Sequence, residues 1–287
     1  MKPILKWAGG KARLAPSISE AFAEPCKGTY IEPFIGSGAV YLYRHANDEV
    51  GDAVLADINP KLIGVHVAIR DAVDDVLGEL SRMPREGYEA HYYGIRDAFN
   101  EGPYTGPAHA ARFIWLNRAC FNGLYRENRK GFFNVPVGRY KRVSLPPPDA
   151  FRAVSAALQG VELVIADFRE VVGRAGKGDQ VYCDPPYVPL TATANFTGYA
   201  KGDFADDEQR ALAYLARRAA VKGATVVLSN HDTPYVVDDL YKVDAGFEHV
   251  SRPRVSRAIS RAGSSRKGVG EVIAAISPGT LVANSGS

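Results

Sequence analysis

The 287-residue sequence predicts an α/β fold: an open, mostly parallel sheet that carries one inserted block of helices. Three observations predict it. Residues 29–57 run as strand, glycine-bearing turn, helix and second strand, the opening of a βαβ unit. Residues 161–166, 180–183 and 224–229 are short apolar runs that read as further strands. Between these two sets, residues 61–160 abandon the βα alternation for helical periodicity. The expected division is therefore a discontinuous α/β domain over 1–60 and 161–277, an insertion over 61–160, and a small, polar, frayed tail over 278–287.

Composition narrows the class. With 46% hydrophobic and 23% charged residues the chain is expected to fold. No apolar run reaches membrane-spanning length and the first residues lack a signal-peptide core, so the expected location is the cytoplasm, off the membrane. Cys26, Cys120 and Cys183 are far apart, and the histidines are scattered without ligand spacing; neither a disulfide framework nor a metal is expected. The net charge of +3 hides an uneven distribution. Residues 126–142 and 251–268 together hold twelve bases against one acid, and the rest of the chain holds 23 bases and 31 acids. An acidic body with two basic segments is the electrostatic footprint of a nucleic-acid binder.

Taken in order, Lys6-Trp7-Ala8-Gly9-Gly10-Lys11 is a glycine turn between an indole and a lysine, too short for a phosphate loop. The strand at 29–32 leads into Pro33-Phe34-Ile35-Gly36-Ser37-Gly38 and a helix over 39–45. The next strand ends at Asp57, 19 residues beyond Gly38, where an acid can accept hydrogen bonds from a ribose. Asn59 and Pro60 fill the cap and first-turn positions of the following helix, which leaves Asp57 for that task. Helices follow over about 61–86, 88–100 and 108–120. Residues 121–141 then interleave basic, aromatic and amide side chains on a Gly/Pro-rich backbone, suited to phosphate and base-edge contact. A strand ends at Asp167-Phe168; Asp206-Asp207-Glu208-Gln209 resembles a capping box; a strand over 224–229 ends at a polar loop, Asn230-His231-Asp232. Apolar runs at 247–259 and 269–276 suggest a hairpin with a basic tip.

The corner Asp184-Pro185-Pro186-Tyr187 closes the strand at 180–183. Two prolines prevent the backbone from continuing the ladder or entering a helix, so the corner is stiff. It offers a carboxylate, the Pro185 carbonyl and a flat aromatic face, a set that can hold a planar ring bearing an exocyclic amine.

K-W-A-G-G-K at 6–11, E-P-F-I-G-S-G at 32–38, A-D-I-N at 56–59 and Y-C-D-P-P-Y at 182–187 together resemble the DNA adenine-N6 methyltransferases of the D12 class, most of all the solitary enzymes that modify GATC. L-N-R at 116–118, F-N-V-P at 133–136, G-R-Y-K at 138–141, T-A-T-A-N-F-T at 191–197 and S-N-H-D at 229–232 extend the resemblance over nearly the whole chain. It implies a Rossmann-like catalytic fold with a helical target-recognition insertion, S-adenosyl-L-methionine as cofactor, double-stranded DNA as partner, and a monomer in solution. It implies a cofactor pocket of Trp7, Phe34, Gly36, Gly38, Asp57, Asp167, Phe168 and Asp184, with Lys11 nearby. Asp184, Pro185, Pro186 and Tyr187 would carry catalysis. Lys6, Leu124, Arg126 and Pro136 would read base edges, and Phe121 and Asn122 would fill or prop the disturbed stack. Arg139, Tyr140, Lys141, Arg254 and Arg257 would hold backbone or base. Family members carry tyrosine where this chain has Phe121, so a stacking face is kept and a hydroxyl is lost. Two other readings stand beside this one: an amino-methyltransferase acting on cytosine N4, RNA or a protein side chain, and a non-catalytic DNA-binding relative.

Overall fold

The computed structural model describes residues 1–188, 204–255 and 269–284. The strands are β1 (Tyr30–Glu32), β2 (Ala53–Asp57), β3 (Glu162–Ile165), β4 (Gln180–Cys183), β5 (Thr225–His231), β6 (Glu248–Ser251), β7 (Arg254–Val255) and β8 (Val269–Ile276). The helices are α1 (Ala15–Glu20), α2 (Ala39–His45), α3 (Pro60–Ser81), α4 (Glu89–Glu101), α5 (Gly106–Ala119), α6 (Pro148–Ala157), α7 (Phe168–Gly173), α8 (Asp206–Val221) and α9 (Pro278–Asn284). The sheet runs β3-β2-β1-β4-β5-β8-β6, with β7 paired to β8. The first five strands are mutually parallel, while β8 is antiparallel to β5 and β6 is antiparallel to β8. This is the Rossmann-like, mostly parallel sheet that the sequence predicts.

Strand order reverses between β1 and β4. From β1 the chain moves outward to β2 and β3, then returns to place β4 on the other side of β1. Crossover connections leave a crevice at the carboxyl ends of the strands at such a point, and ligands bind there in open α/β sheets. Both the glycine turn after β1 and the Asp-Pro-Pro-Tyr corner after β4 open into it.

Side-chain alternation explains the two cores. Val181 and Cys183 on β4, with Val226 and Leu228 on β5, pack against α7 and α8. Tyr182, Val227, Tyr30 and Leu55 face the opposite way, onto α2, α3, α5 and α6. The expected insertion over 61–160 thus shares one core with the sheet: Leu62, Ile69, Ile114, Trp115 and Phe151 are buried in the same cluster as the strand residues.

Several local expectations need correction. Residues 278–284 form a helix rather than a frayed tail, because Thr280 and Ser277 exchange hydrogen bonds at its start and Leu281 lies against the site of Gly246. The supposed capping box at 206–209 does not cap: Ala205 is the N-cap, and Asp206 instead accepts from Arg210 and Tyr235. The strand β5 runs on through Asn230 and His231, which are buried and not in a polar loop, because β8 pairs with them through Val272 and Glu271. The short helices α1 and α7 carry too few residues to show a period. Among the described residues no helix is long and apolar enough to cross a membrane.

Candidate active site

The end of β2 and the turn after β1 are built as one piece. The Asp57 carboxylate accepts from the Asn59 N–H at 3.0 Å and, more weakly, from the Gly36 N–H at 3.4 Å. Asp57 is therefore not wholly free, as the sequence suggested, even though Asn59 caps α3 as expected by accepting from the Lys61 and Leu62 N–H groups. Burial pushes the Asp57 carboxyl up to about 6, against the hydrogen bonds from Asn59 and Gly36. On the other side His66 Nε2 donates to the Gly36 carbonyl at 3.0 Å. Burial holds His66 below the usual imidazole range, so it serves as a neutral brace. Gly36 has φ +49°, and a Cβ there would stand 2.8 Å from the Trp7 ring. Only glycine admits both that backbone and that approach. Gly38, also left-handed, starts α2. Phe34 stacks on Phe168 at 5.7 Å, and Phe204 meets both rings. Asp167 is half-exposed; it caps α7 through the Arg169 N–H and pairs with the Arg169 guanidinium.

The corner after β4 is held from three sides. The Val188 N–H donates to Asn230 Oδ1 at 3.1 Å, His231 Nδ1 lies 2.6 Å from the Val188 carbonyl, and Gln209 donates to the Pro186 carbonyl at 2.7 Å. Asn230 in turn donates to Gln209, and Tyr182 meets Ser229 through their hydroxyls. Pro185 is buried and Pro186 exposed. Asp184 is about 20% exposed at its side chain, and Lys11, only 5% exposed, sets its ammonium 3.0 Å from Asp184 Oδ1. That contact is an ion pair without hydrogen-bond alignment, so Oδ1 is a buried acceptor lacking a directed donor. Burial raises the Asp184 carboxyl above its ordinary range, opposed by Lys11 and reinforced by Glu271. The Lys11 ammonium also lies 4.7 Å from the Tyr187 ring centre. Residues 6–11 and 184–187, far apart in sequence, thus share one site.

The basic segment after α5 is a hairpin. Cys120 pairs with Val137 and Glu127 with Phe133, while the Phe121 N–H donates to the Pro136 carbonyl. Phe121, Asn122, Arg126, Pro136, Arg139 and Lys141 are exposed, and Leu124 and Tyr140 are half-buried. Asn122 takes a left-handed φ of 53°, which turns the chain beside Phe121. Lys6 reaches this region: its ammonium lies 5.1 Å from the Tyr140 ring centre, and Asn117 clamps its backbone on both sides. Arg126 donates to Asn134 Oδ1. Trp7 stacks on Tyr125 at 5.5 Å, so the glycine turn at 6–11 and the hairpin share an aromatic column. Arg254 is placed in β7 opposite Gly270, but its side chain, all of Arg257, and residues 191–197 lie outside the described residues.

Four contributors escaped the sequence reading of the site: His66, Gln209, Asn230 and Glu271. The signal for Asn230 and His231 was a polar run ending an otherwise apolar strand. For the others, sequence carried none, since each is one polar residue on an ordinary helix or strand.

The chain is similar to known proteins along most of its length. The family profile described as D12 class N6 adenine-specific DNA methyltransferase matches residues 7–256. The Type II methyltransferase M.MjaIII of Methanocaldococcus jannaschii is 38% identical over 280 residues, 93% of this chain and 96% of that protein. DNA adenine methylase of Vibrio cholerae is 37% identical over 281 residues, 96% of each chain, and that of Haemophilus influenzae is 39% identical over 278 residues, 95% of this chain and 93% of that protein. Among solved structures, TrmN from Thermus thermophilus aligns over 92% of this chain and 48% of that chain, with a TM-score of 0.40 and 13% identity. The profile match over residues 7–256, with 37–39% identity to these relatives over more than nine-tenths of the chain, places it in the D12 class of N6 adenine-specific DNA methyltransferases.

Proposed function

We propose that this enzyme transfers a methyl group from S-adenosyl-L-methionine to N6 of an adenine rotated out of duplex DNA, at GATC. The observation that carries the reading is the buried, undirected acceptor Asp184 Oδ1 at the switch-point end of β4. The residues fit the cofactor: a half-buried carboxylate at Asp57 for ribose hydroxyls, the aromatic faces of Phe34 and Phe168, the Gly36 turn against Trp7, and the half-exposed acid Asp167. When bound, it supplies an electrophilic methyl group. Placement at GATC rests on the motif resemblance of the hairpin, with Lys6, Leu124, Arg126 and Pro136 as base readers.

The chain's own residues do the remainder. Adenine N6 is hidden in a duplex, so the base must leave the stack. Phe121 and Asn122, exposed at the hairpin base, fill the space it vacates. The N6 lone pair is delocalised into the ring, which makes the amine a poor nucleophile. Accepting its two hydrogens at Asp184 and the Pro185 carbonyl favours a more tetrahedral nitrogen and stabilises the positive charge that develops there. Tyr187 supplies a stacking face, and the prolines keep both acceptors aligned for in-line attack. The amine proton leaves through the Asp184 carboxylate to solvent.

Asp184→Ala is expected to lower kcat by on the order of 10²–10³ while cofactor binding persists. Steady-state turnover on a GATC duplex, together with nucleoside analysis of the product, checks this. Wild-type turnover in the variant removes the clamp, and N4-methylcytosine in the product removes adenine as the target.

A further inference from the structure

A half-buried carboxylate with no assigned part in methyl transfer touches the catalytic corner from a strand no motif reaches. Glu271 lies on β8, beyond residues 7–256 matched by the family profile. Its side chain is 17% exposed. The Tyr187 hydroxyl donates to Glu271 Oε2 at 3.0 Å. The same oxygen stands 4.0 Å from the Lys11 ammonium, which stands 3.0 Å from Asp184 Oδ1. One carboxylate therefore meets both neighbours of the catalytic acid.

The placement of Glu271 is firm. In β8 it pairs with His231 of β5, and its own N–H donates to the Pro253 carbonyl at 2.9 Å. His231 meets the Tyr187 ring edge-on at 4.8 Å, so the ring is fixed at its edge by β5 and at its hydroxyl by β8. A phenol held at one place only can swing about χ1 and χ2; two contacts confine it. Lys11 is equally boxed, between two carboxylates, the Gly9 carbonyl and the Tyr187 face.

We propose that Glu271 is a positioning residue for methyl transfer: it locks the Tyr187 ring as a stacking face and shares the Lys11 ammonium with Asp184. Sharing matters because Asp184 must turn toward the adenine amine. A second carboxylate beside Lys11 keeps the ammonium neutralised when Asp184 does so. The inference rests on the corner acting as the amine clamp proposed above.

The test compares Glu271→Ala, Glu271→Gln, Tyr187→Phe and the Ala/Phe double variant on a GATC duplex, with Asp184→Ala alongside. Glu271→Ala is expected to lower kcat about tenfold, the loss of one part-buried hydrogen bond to a charged acceptor, with the cofactor KM unchanged. Tyr187→Phe is expected to cost nothing further in the Glu271→Ala background, since the two removals break one contact. Glu271→Gln keeps an acceptor for the tyrosine but removes the charge. The charged or titratable groups acting on Asp184 are Lys11, Tyr187, Glu271 and the buried Glu32, Tyr182, Cys183 and Tyr241. Taking away one like charge should move the acid limb of the pH profile of kcat/KM for DNA to lower pH, measured with cofactor saturating so that Asp57 does not set it, a change that a merely structural residue would not cause.

Turnover retained in Asp184→Ala would overturn the clamp itself. An inactive Asp184→Ala beside a folded Glu271→Ala of wild-type kcat would overturn the Glu271 role alone, as would additive losses in the double variant. Should Glu271→Ala fail to fold by circular dichroism, the near-isosteric Glu271→Gln decides, and an unmoved acid limb overturns the proposal.

Discussion

Asp57 illustrates how a single carboxylate links architecture to pH. Half-buried at the end of β2, it is held up to about 6 by desolvation, with the Asn59 and Gly36 N–H groups pulling the other way. The sign is opposite to that of an ion-paired acid: the native state prefers the protonated form. Its ionisation therefore costs stability above about pH 6, and that cost is relieved as pH falls from about 6 toward the ordinary value of 3.8. Ligand binding has the reverse requirement, because only the carboxylate accepts two ribose hydroxyls. Affinity for S-adenosyl-L-methionine is thus expected to fall below about pH 6, approaching tenfold per pH unit, and Asp57→Asn to bind weakly at every pH. Calorimetric titration from pH 5 to 8 measures both; a flat wild-type profile contradicts the ribose role.

At the scale of the element, the hairpin over 120–137 depends on a lysine from another part of the chain. Lys61, in the first turn of α3, is buried; its ammonium pairs with Glu127 at 2.7 Å, donates to the Gly131 carbonyl and lies 4.6 Å from the Tyr104 ring centre. Tyr125 also donates to Glu127, and Asn100 bonds the backbone of Phe133 in both directions. The hairpin is therefore pinned to the helices rather than waving above them. Lys61→Met should take the ammonium away from Glu127, which keeps only the Tyr125 hydroxyl, and leave the Gly131 carbonyl without its donor, lowering stability by roughly 2 kcal/mol. It should also weaken DNA binding more than cofactor binding. Thermal melts and parallel titrations with each ligand check this, and equal losses for both ligands would argue against a hairpin-specific brace. The same element shows what a linear reading misses: interleaved basic and aromatic residues marked the segment as a DNA contact, but nothing within 121–141 announced Lys61 as its support.

For the whole molecule, the charge distribution predicts an association with DNA driven by phosphates. The two basic windows carry twelve bases and one acid on a chain whose remainder is acidic. Neutralising about six phosphates gives a log–log salt slope near −5, which fluorescence anisotropy on a GATC duplex between 50 and 200 mM salt can measure. A shallow slope would remove duplex DNA as the main partner. Sheet order sets the other global property. Because β4 returns to the far side of β1, the glycine turn and the Asp184 corner face one crevice, and donor and acceptor of the methyl group are proposed to meet there.

Sequence alone determined the strands, their order of appearance, the left-handed glycine turn after β1 and the stiffness of the proline corner. Each follows from short-range effects: apolar periodicity, the freedom of glycine, the fixed φ of proline. It also determined the uneven charge, which needs only counting. What the tertiary structure decided is which distant groups meet. Lys11 stands against Asp184, His66 braces Gly36, Asn230 and Gln209 clamp the corner, and Glu271 bonds Tyr187. None of these pairs is encoded by a local pattern, because a polar residue on a helix or strand acquires its partner only when topology brings another element beside it. Burial then changes its chemistry: the carboxyls of Asp57 and Asp184 rise because the folded chain excludes the water that would otherwise solvate their charge.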